Sequence, residues 1–127
     1  MIETYIKSLI VPTATEIPAI GSRLYIGQLQ TTSPYPQVAM YPISRYNELT
    51  ACDVRTERFQ FSIYADYFSS ASDIAESIKN KLKGYYGEPS TSFAIMNILF
   101  DNMGYMYDDL VFKHVKFLDM IIWYRSI

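Results

Sequence analysis

The sequence predicts an α+β fold in which a mainly antiparallel sheet of four to five strands packs with two to three helices. Two patterns of apolar residues support this class: alternation along the chain, as on a strand with one buried face, and spacings of three and four, as on one face of a helix. The segments do not follow the regular strand–helix–strand alternation of a parallel sheet. The 127 residues match the usual size of one domain, so residues 1–127 are expected to share a single core.

Residues 57–84 carry the clearest of these patterns. Apolar and polar residues alternate along a predicted strand, whose core-facing positions are Phe59, Phe61, Ile63 and Ala65. Ser70 is then placed to cap a helix, with Asp73 favouring the positive end of the helix dipole. One face of this helix is apolar and consists of Ala71, Ile74, Ala75, Ile78 and Leu82. Gly84 is predicted to end the helix in the left-handed conformation.

Shorter elements are predicted before this central strand. A helix through residues 2–10 has one apolar face and is ended by Pro12, which lacks a backbone donor. A brief extended piece follows at residues 23–26, and a strand is predicted at residues 37–43. Because Pro42 cannot donate to a ladder of hydrogen bonds, its end of the strand is expected at an edge or a bulge.

Residues 44–56 are polar and charged, and they predict a loop longer than a tight hairpin needs. We expect this loop to be mobile in the free subunit and ordered on assembly, because its opposite charges suit pairing across a repeated contact. The candidate interface residues are Arg45, Glu48, Asp53 and Arg55, together with Trp123. Aromatic residues make up 16% of the chain, and Tyr and Trp are enriched at protein interfaces. For any single Tyr, the simpler interpretation is a core residue with its hydroxyl in water.

Two strands are predicted after the helix. The first follows the alternation of residues 96–101 and is followed by a turn at residues 102–109. The second runs through residues 111–124, and its apolar positions change parity midway. Either a bulge shifts the register near Phe117, or both faces of the strand are buried, one by the helix and the other by a neighbouring subunit.

Asp119 is unusual because it lies in the most apolar segment of the chain. If the carboxylate is buried it needs a partner, and Arg58 or Arg125 could serve. Alternatively, Asp119 lies on the exposed face of an edge strand. The sequence favours neither interpretation.

Composition limits the class of protein. Hydrophobic residues make up 50% of the chain with no run near the ~20 apolar residues that span a bilayer, so we expect a soluble protein without a membrane partner. The N-terminus lacks the basic cluster and apolar run of a secretory signal, which predicts synthesis in the cytoplasm. Cys52 is the only cysteine, so no internal disulfide can form. The net charge of −2, with Lys and Arg scattered, gives no sign of a nucleic-acid footprint.

No enzyme is predicted, since one His and one Cys without a glycine-rich phosphate loop cannot assemble the usual catalytic constellations. A Cys52–His114 dyad is arithmetically possible, but loop and solvent positions are the simpler interpretation. Asp101, Asp108 and Asp109 could surround a hard cation, yet their spacing does not match a calcium loop and favours turn and solvent charges. No catalytic residue, cofactor or metal site is therefore predicted.

The order of the elements carries a further indication. Its signposts in chain order are Arg23-Leu24-Tyr25, Pro34-Tyr35-Pro36, a strand at residues 59–65 that turns straight into a helix, and the closing segment Asp119-Met120-Ile121-Ile122-Trp123-Tyr124-Arg125. This order resembles the tail terminator, or tail completion, family of long-tailed (siphovirus-like) phages and related gene-transfer particles. The resemblance covers nearly the whole chain and is least at residues 85–110.

The resemblance implies an α+β subunit that assembles as a homo-hexameric ring on the last ring of tail tube protein. There it would stop tube polymerisation and present the docking surface for the head connector or stopper protein, while DNA passes through the lumen without tight binding. It implies a place in the virion, at the head-proximal end of the tail. One alternative is a head–tail neck adaptor, such as a stopper or connector-docking protein. A less favoured one is a small enzyme using Cys52 or the acidic turn.

Overall fold

The computed structural model describes residues 4, 6–7, 20, 23–29, 34–47, 54–87 and 93–126. They form a five-stranded sheet and a helix, whose bounds in chain order are β1 Leu24–Ile26, β2 Gln37–Asn47, β3 Val54–Ala65, α1 Phe68–Leu82, β4 Phe93–Asp108 and β5 Lys113–Ser126. The strands lie in the order β1-β2-β3-β5-β4, with β1 parallel to β2 and all other neighbours antiparallel. The predicted α+β class and mainly antiparallel sheet are confirmed.

The described residues contain one helix with defined bounds, fewer than the two to three predicted. Residues 4, 6 and 7 are helical, but most of the first predicted helix lies outside the described residues. Ile6 is buried in the same core as α1, so this part of the chain packs with the rest of the domain. No helix within the described ranges is long and apolar enough to cross a membrane.

The hydrophobic core lies between α1 and one face of the sheet, which we call the inner face. All five apolar positions predicted for the helix are buried, namely Ala71, Ile74, Ala75, Ile78 and Leu82. The predicted positions of the central strand are buried too, namely Phe59, Phe61, Ile63 and Ala65. From β5 the core receives Leu118, Met120, Ile122 and Tyr124. Full burial of a large apolar side chain stabilises a fold by about 1.5–3 kcal/mol, so this layer holds the helix to the sheet.

The start of α1 differs from the prediction. The N-cap is Tyr67, in an extended conformation and without a side-chain capping bond, so the assignment of Ser70 as the cap is wrong. The Phe68 ring packs edge-on against Tyr105 with its centroid 4.8 Å away, and this tertiary contact lies at the first residue of the helix. Gly84, with φ +79°, has the predicted left-handed conformation.

Residues 44–56 were predicted as a loop, and this is wrong at both ends. Residues 44–47 continue β2 and residues 54–56 begin β3, because their backbones pair with each other across the sheet, from Ser44 opposite Arg58 to Asn47 opposite Arg55. Residues 48–53 lie outside the described part of the chain. The register of β2 shifts between Pro42 and Ser44, which confirms the predicted bulge near Pro42.

The turn predicted at residues 102–109 is also wrong, because β4 runs on to Asp108 and the chain turns at residues 109–112. Two register shifts interrupt β4, one between Ile95 and Asn97 and one between Phe100 and Asn102. Each bulge moves the following residues to the other parity, so a single alternation cannot describe the whole strand.

The register shift predicted near Phe117 does not occur in β5, whose pairing with β3 is unbroken from Val54 opposite Arg125 to Ala65 opposite His114. The shift belongs to its other neighbour, β4. Apolar side chains of both parities are nevertheless sheltered in β5, since Leu118 and Val115 are both buried. The face of the sheet opposite α1, which we call the outer face, is therefore partly apolar.

Candidate functional site

The β4–β5 hairpin ends in an apolar tip, residues 109–112. Leu110 is 92% exposed and Phe112 is 73% exposed, with the half-exposed Val111 between them. The backbone N–H of Leu110 donates to the Asp108 carboxylate at 2.9 Å, which orders the turn. Three consecutive apolar residues are therefore exposed to water at this tip. This hairpin tip was not predicted from the sequence, because the predicted turn lies earlier in the chain, at residues 102–109.

An aromatic cluster joins the base of this hairpin to the start of α1. The Tyr105 hydroxyl and His114 Nδ1 are hydrogen-bonded at 2.6 Å, and the Tyr107 ring lies edge-on to His114 at 5.0 Å. The Phe68 ring contacts the other side of Tyr105. His114 is thus held among aromatic rings, and Cys52, its partner in the possible dyad, lies outside the described residues.

Lys113 anchors the tip from β5. Its ammonium contacts the Asp66 carboxylate at 2.7 Å and lies 4.8 Å from the centroid of the Tyr35 ring. The hydrogen bond to Asp66 raises the pKa of Lys113 above its ordinary value, which favours the charged ammonium. This ion pair therefore holds Lys113, the residue directly after the hairpin tip, against Asp66 near the start of α1.

A polar network crosses the outer face of the sheet. The Tyr41 hydroxyl donates to Gln60 Oε1 at 2.5 Å and lies 3.0 Å from the Ser62 hydroxyl. Gln60 Nε2 in turn donates to Asp119 Oδ1 at 3.0 Å. These contacts tie together β2, β3 and β5 on the face that α1 does not cover.

This network gives Asp119 the hydrogen-bonded partner that a sheltered carboxylate needs, but the suggested arginines and the alternative of an edge strand are both wrong. Its partner is the amide of Gln60 and neither predicted arginine, because Arg58 instead pairs with Asp101 at 3.2 Å across the bulge of β4. The strand that carries Asp119 is flanked by β3 and β4, so it is not at an edge. A half-buried carboxylate bonded to a neutral amide is compatible with its apolar neighbours in sequence.

The predicted interface residues are only partly brought together. Arg45 lies opposite Glu57 in the ladder, Arg55 lies opposite Asn47, and Trp123 lies opposite Thr56, so all three share the end of the sheet far from the hairpin tip. Trp123 is 40% exposed and Arg55 is half-buried. Glu48 and Asp53 lie outside the described residues.

The predicted turn aspartates do not converge. Asp101 lies at a bulge inside β4 and Asp108 at its end, a separation of roughly 20 Å at about 3.3 Å per strand residue. In the described part of the chain, no group of three or more His, Cys, Asp or Glu side chains is placed to hold a metal ion. The surfaces described above are suited to contact with other proteins.

Comparison with known proteins gives one informative result. No family model matches this chain, and no curated protein matches its sequence. Its fold is similar to that of a chain in the virion of a native gene transfer agent (GTA) particle, with a TM-score of 0.81. The match covers 96% of this chain and 92% of that chain at 13% sequence identity. The two chains therefore share one fold over nearly their whole lengths.

Proposed function

We propose that this chain is a structural protein of a phage-like virion, with no catalytic role. The observation that carries the proposal is the shared fold, since 96% of this chain matches 92% of a chain in a gene transfer agent virion. The exposed hairpin tip supports a role in assembly, because apolar residues in such positions bind partners.

Within that class, we propose the role of tail terminator. A homo-hexameric ring of the chain would cap the last ring of tail tube protein, stop its polymerisation and offer the docking surface for the head connector or stopper protein. The order of elements supports this role. So does the distribution of apolar residues, because the hairpin tip lies at one end of the sheet and Trp123 at the other. A ring between two partners needs two such surfaces.

The test adds the purified protein to tails assembled without it and images them by electron microscopy. We expect a ring at one end of each tail and, when the protein is instead present during assembly, tails of uniform length. A double variant, Leu110→Ser with Phe112→Ser, should remain folded but lose this binding if the hairpin tip contacts the tube. Tyr86→Ser is the matched control, because Tyr86 is 79% exposed and lies away from the tip in the segment after α1.

Two results would contradict the tail-terminator role. Protein that never labels tail ends, with tails of unregulated length in its presence, would exclude capping. Protein that binds filled heads but not tails would instead assign the chain to the neck as an adaptor. A mass measurement over a range of concentrations would show whether the ring forms in solution or only on the tail.

A further inference from the structure

The two sides of the sheet are covered to different extents. On the β4 side, the segment after α1 covers the first part of the strand, because Gly84 N–H donates to the Ile98 carbonyl at 2.8 Å and Gly87 exchanges two hydrogen bonds with Ile95. Among the described residues, no strand pairs with β4 on this side beyond Ile98. We call residues 99–108 the β4 edge.

On the opposite side of the sheet, β1 covers only the first part of β2. The three residues of β1 pair only with Val38–Met40 of β2, which continues to Asn47. In the part of the chain that the structure describes, residues 41–47 have a strand neighbour on one side only, and that neighbour is β3. We call residues 41–47 the β2 edge.

The hydrogen bonds that β4 already makes show which of its backbone groups point away from β5. Antiparallel strands direct the N–H and C=O of alternate residues to alternate sides, and those of Ile95 face away from β5. Past the second bulge, the register with β5 shows that the backbone groups of Met103, Tyr105 and Tyr107 also point away from β5. Such a row of backbone donors and acceptors is a template for another strand.

We propose that the β4 edge of one copy pairs with the β2 edge of a second copy, so that the sheet continues from subunit to subunit. This inference rests on the proposed ring and names the surfaces that would form it. The contact is heterologous, because each copy contributes one edge to each neighbour, and repeating it with rotation closes a ring. A β4-to-β4 contact would instead form an isolated pair.

The direction of the strands suits this contact. Antiparallel pairing through the sheet makes β4 run opposite to β2 within one copy. A rotation about an axis close to the strand direction preserves that relation, so the two edges would meet antiparallel. The covered parts also fix an offset along the strand direction. Among the described residues, β4 lacks an outer neighbour near the hairpin tip, at residues 99–108, whereas β2 lacks one far from the tip, at residues 41–47. Closed sheets require such a stagger between strands.

The two edges themselves favour a second copy as the occupant. The β4 edge and the β2 edge lie on opposite sides of the same sheet, and their strands run in opposite directions. Each copy therefore supplies both an edge and an antiparallel partner for that edge, so one repeated contact satisfies the outward backbone groups of both.

Disulfide trapping tests this pairing. In a Cys52→Ala background, Met106→Cys on the β4 edge is combined in turn with Ser44→Cys or Tyr46→Cys on the β2 edge, because the register places all three positions on the outer face of the sheet. Strand positions that face each other bring two cysteines within the 4.4–6.8 Å between Cα atoms that a disulfide needs. We expect oxidation of at least one double variant, alone or on tails, to give a ladder of covalent oligomers. Each single variant should stay monomeric, and a mixture of the two matching single variants should stop at dimers.

The outcomes separate this inference from the proposed function. A ladder without tail capping would support the contact and contradict the tail role. Capped tails with no ladder from any double variant would overturn the contact and leave the role standing. Dimers from a single variant would show like edges meeting, and a β4-edge cysteine trapped on a tail protein would show a different occupant; either result overturns the proposal. Circular dichroism of each variant confirms that the fold is retained.

Discussion

The hydroxyl of Tyr124 donates a 2.9 Å hydrogen bond to the carboxylate of Glu57, and both side chains are buried. Glu57 lies opposite Ile122 in the ladder and Tyr124 lies opposite Arg55, so the bond joins two rungs of β3 and β5 that are separated by the rung of Thr56 and Trp123. Removing a carboxylate from water is unfavourable unless hydrogen bonds compensate it. This pair therefore fixes the relation of the two central strands at the end of the sheet that carries Trp123.

We expect Tyr124→Phe to lower the free energy of unfolding by about 1–3 kcal/mol, because the buried carboxylate loses a donor. Urea unfolding followed by circular dichroism measures the change. The control is Tyr86→Phe, at a position that is 79% exposed, which should change stability by no more than about 0.5 kcal/mol. Equal stability of the two variants would contradict a structural role for the bond.

The central strand and helix could be predicted because each shows one uninterrupted period. Ile74 and Ile78 repeat on one helical face, and Phe59 and Phe61 alternate without a bulge, so local spacing and burial agree. The helix and the strand pack against each other through these same residues, so their contact agrees with both patterns. The fold class followed from these segments.

The bounds of β2 and β4 could not be predicted, because they depend on distant pairing. Asn47 and Gly104 are typical of turns, yet pairing with a neighbouring strand keeps both in the sheet. The hairpin tip was missed for a related reason. Composition does not reveal that Leu110 and Phe112 are exposed, since their exposure follows from where the hairpin ends.

The uncapped start of α1 leaves room for stabilisation. Tyr67 occupies the N-cap position, is 70% exposed and makes no capping bond, and the first turn contains no acidic residue. Tyr67→Asp should raise the free energy of unfolding by about 1 kcal/mol, because it supplies both a capping acceptor and a negative charge near the helix dipole. Thermal unfolding gives the comparison with Tyr67→Ala, which removes the same ring without adding a cap. No advantage of Asp over Ala would refute this account of the helix start.

The bond between Gln60 and Asp119 should show energetic coupling that is insensitive to salt. A double-mutant cycle with Gln60→Ala and Asp119→Ala is expected to give a coupling of about 1 kcal/mol, because one partner is neutral and the contact is half-buried. The cycle isolates this bond from the contact of Gln60 with Tyr41. Stability measured in urea at low and high salt provides the data.

The Arg58–Asp101 ion pair is the reference for that cycle. Its side chains are 41% and 28% exposed, so its coupling should be at most about 1 kcal/mol and should fall as salt rises. If the Gln60–Asp119 coupling fell in parallel, it would be a charge effect and not a hydrogen bond.

Phe112 has a left-handed backbone conformation, with φ +56°, at the last residue of the turn. A side chain is disfavoured there, and glycine is not. Phe112→Gly should therefore be more stable than Phe112→Ala by about 0.5–1 kcal/mol, although glycine normally loses stability relative to alanine through the unfolded chain. Comparison of the two melting curves measures the difference. A more stable alanine variant would show that the turn relaxes to another conformation.

The last prediction concerns DNA, which would pass through the proposed ring. Each phosphate neutralised by a Lys or Arg releases counterions, and six to ten such contacts change affinity by about 10³–10⁵ between 50 and 200 mM salt. One unpaired lysine per subunit facing the lumen would supply six of them. The chain has a net charge of −2, and three of its basic side chains, Arg58, Lys79 and Lys113, already contact carboxylates.

We therefore expect no measurable affinity for duplex DNA at physiological salt, since six copies at −2 each would total about −12. Fluorescence anisotropy of a labelled duplex with assembled rings is the measurement. The end of α1 provides the sharpest challenge, because Lys79, Lys81 and Lys83 all lie within five residues and could raise the local positive charge despite the net charge. Submicromolar binding that weakens steeply with salt would contradict the expectation. Its loss in a Lys81→Ala, Lys83→Ala variant, but not in Lys7→Ala, would place the responsible surface at the end of the helix.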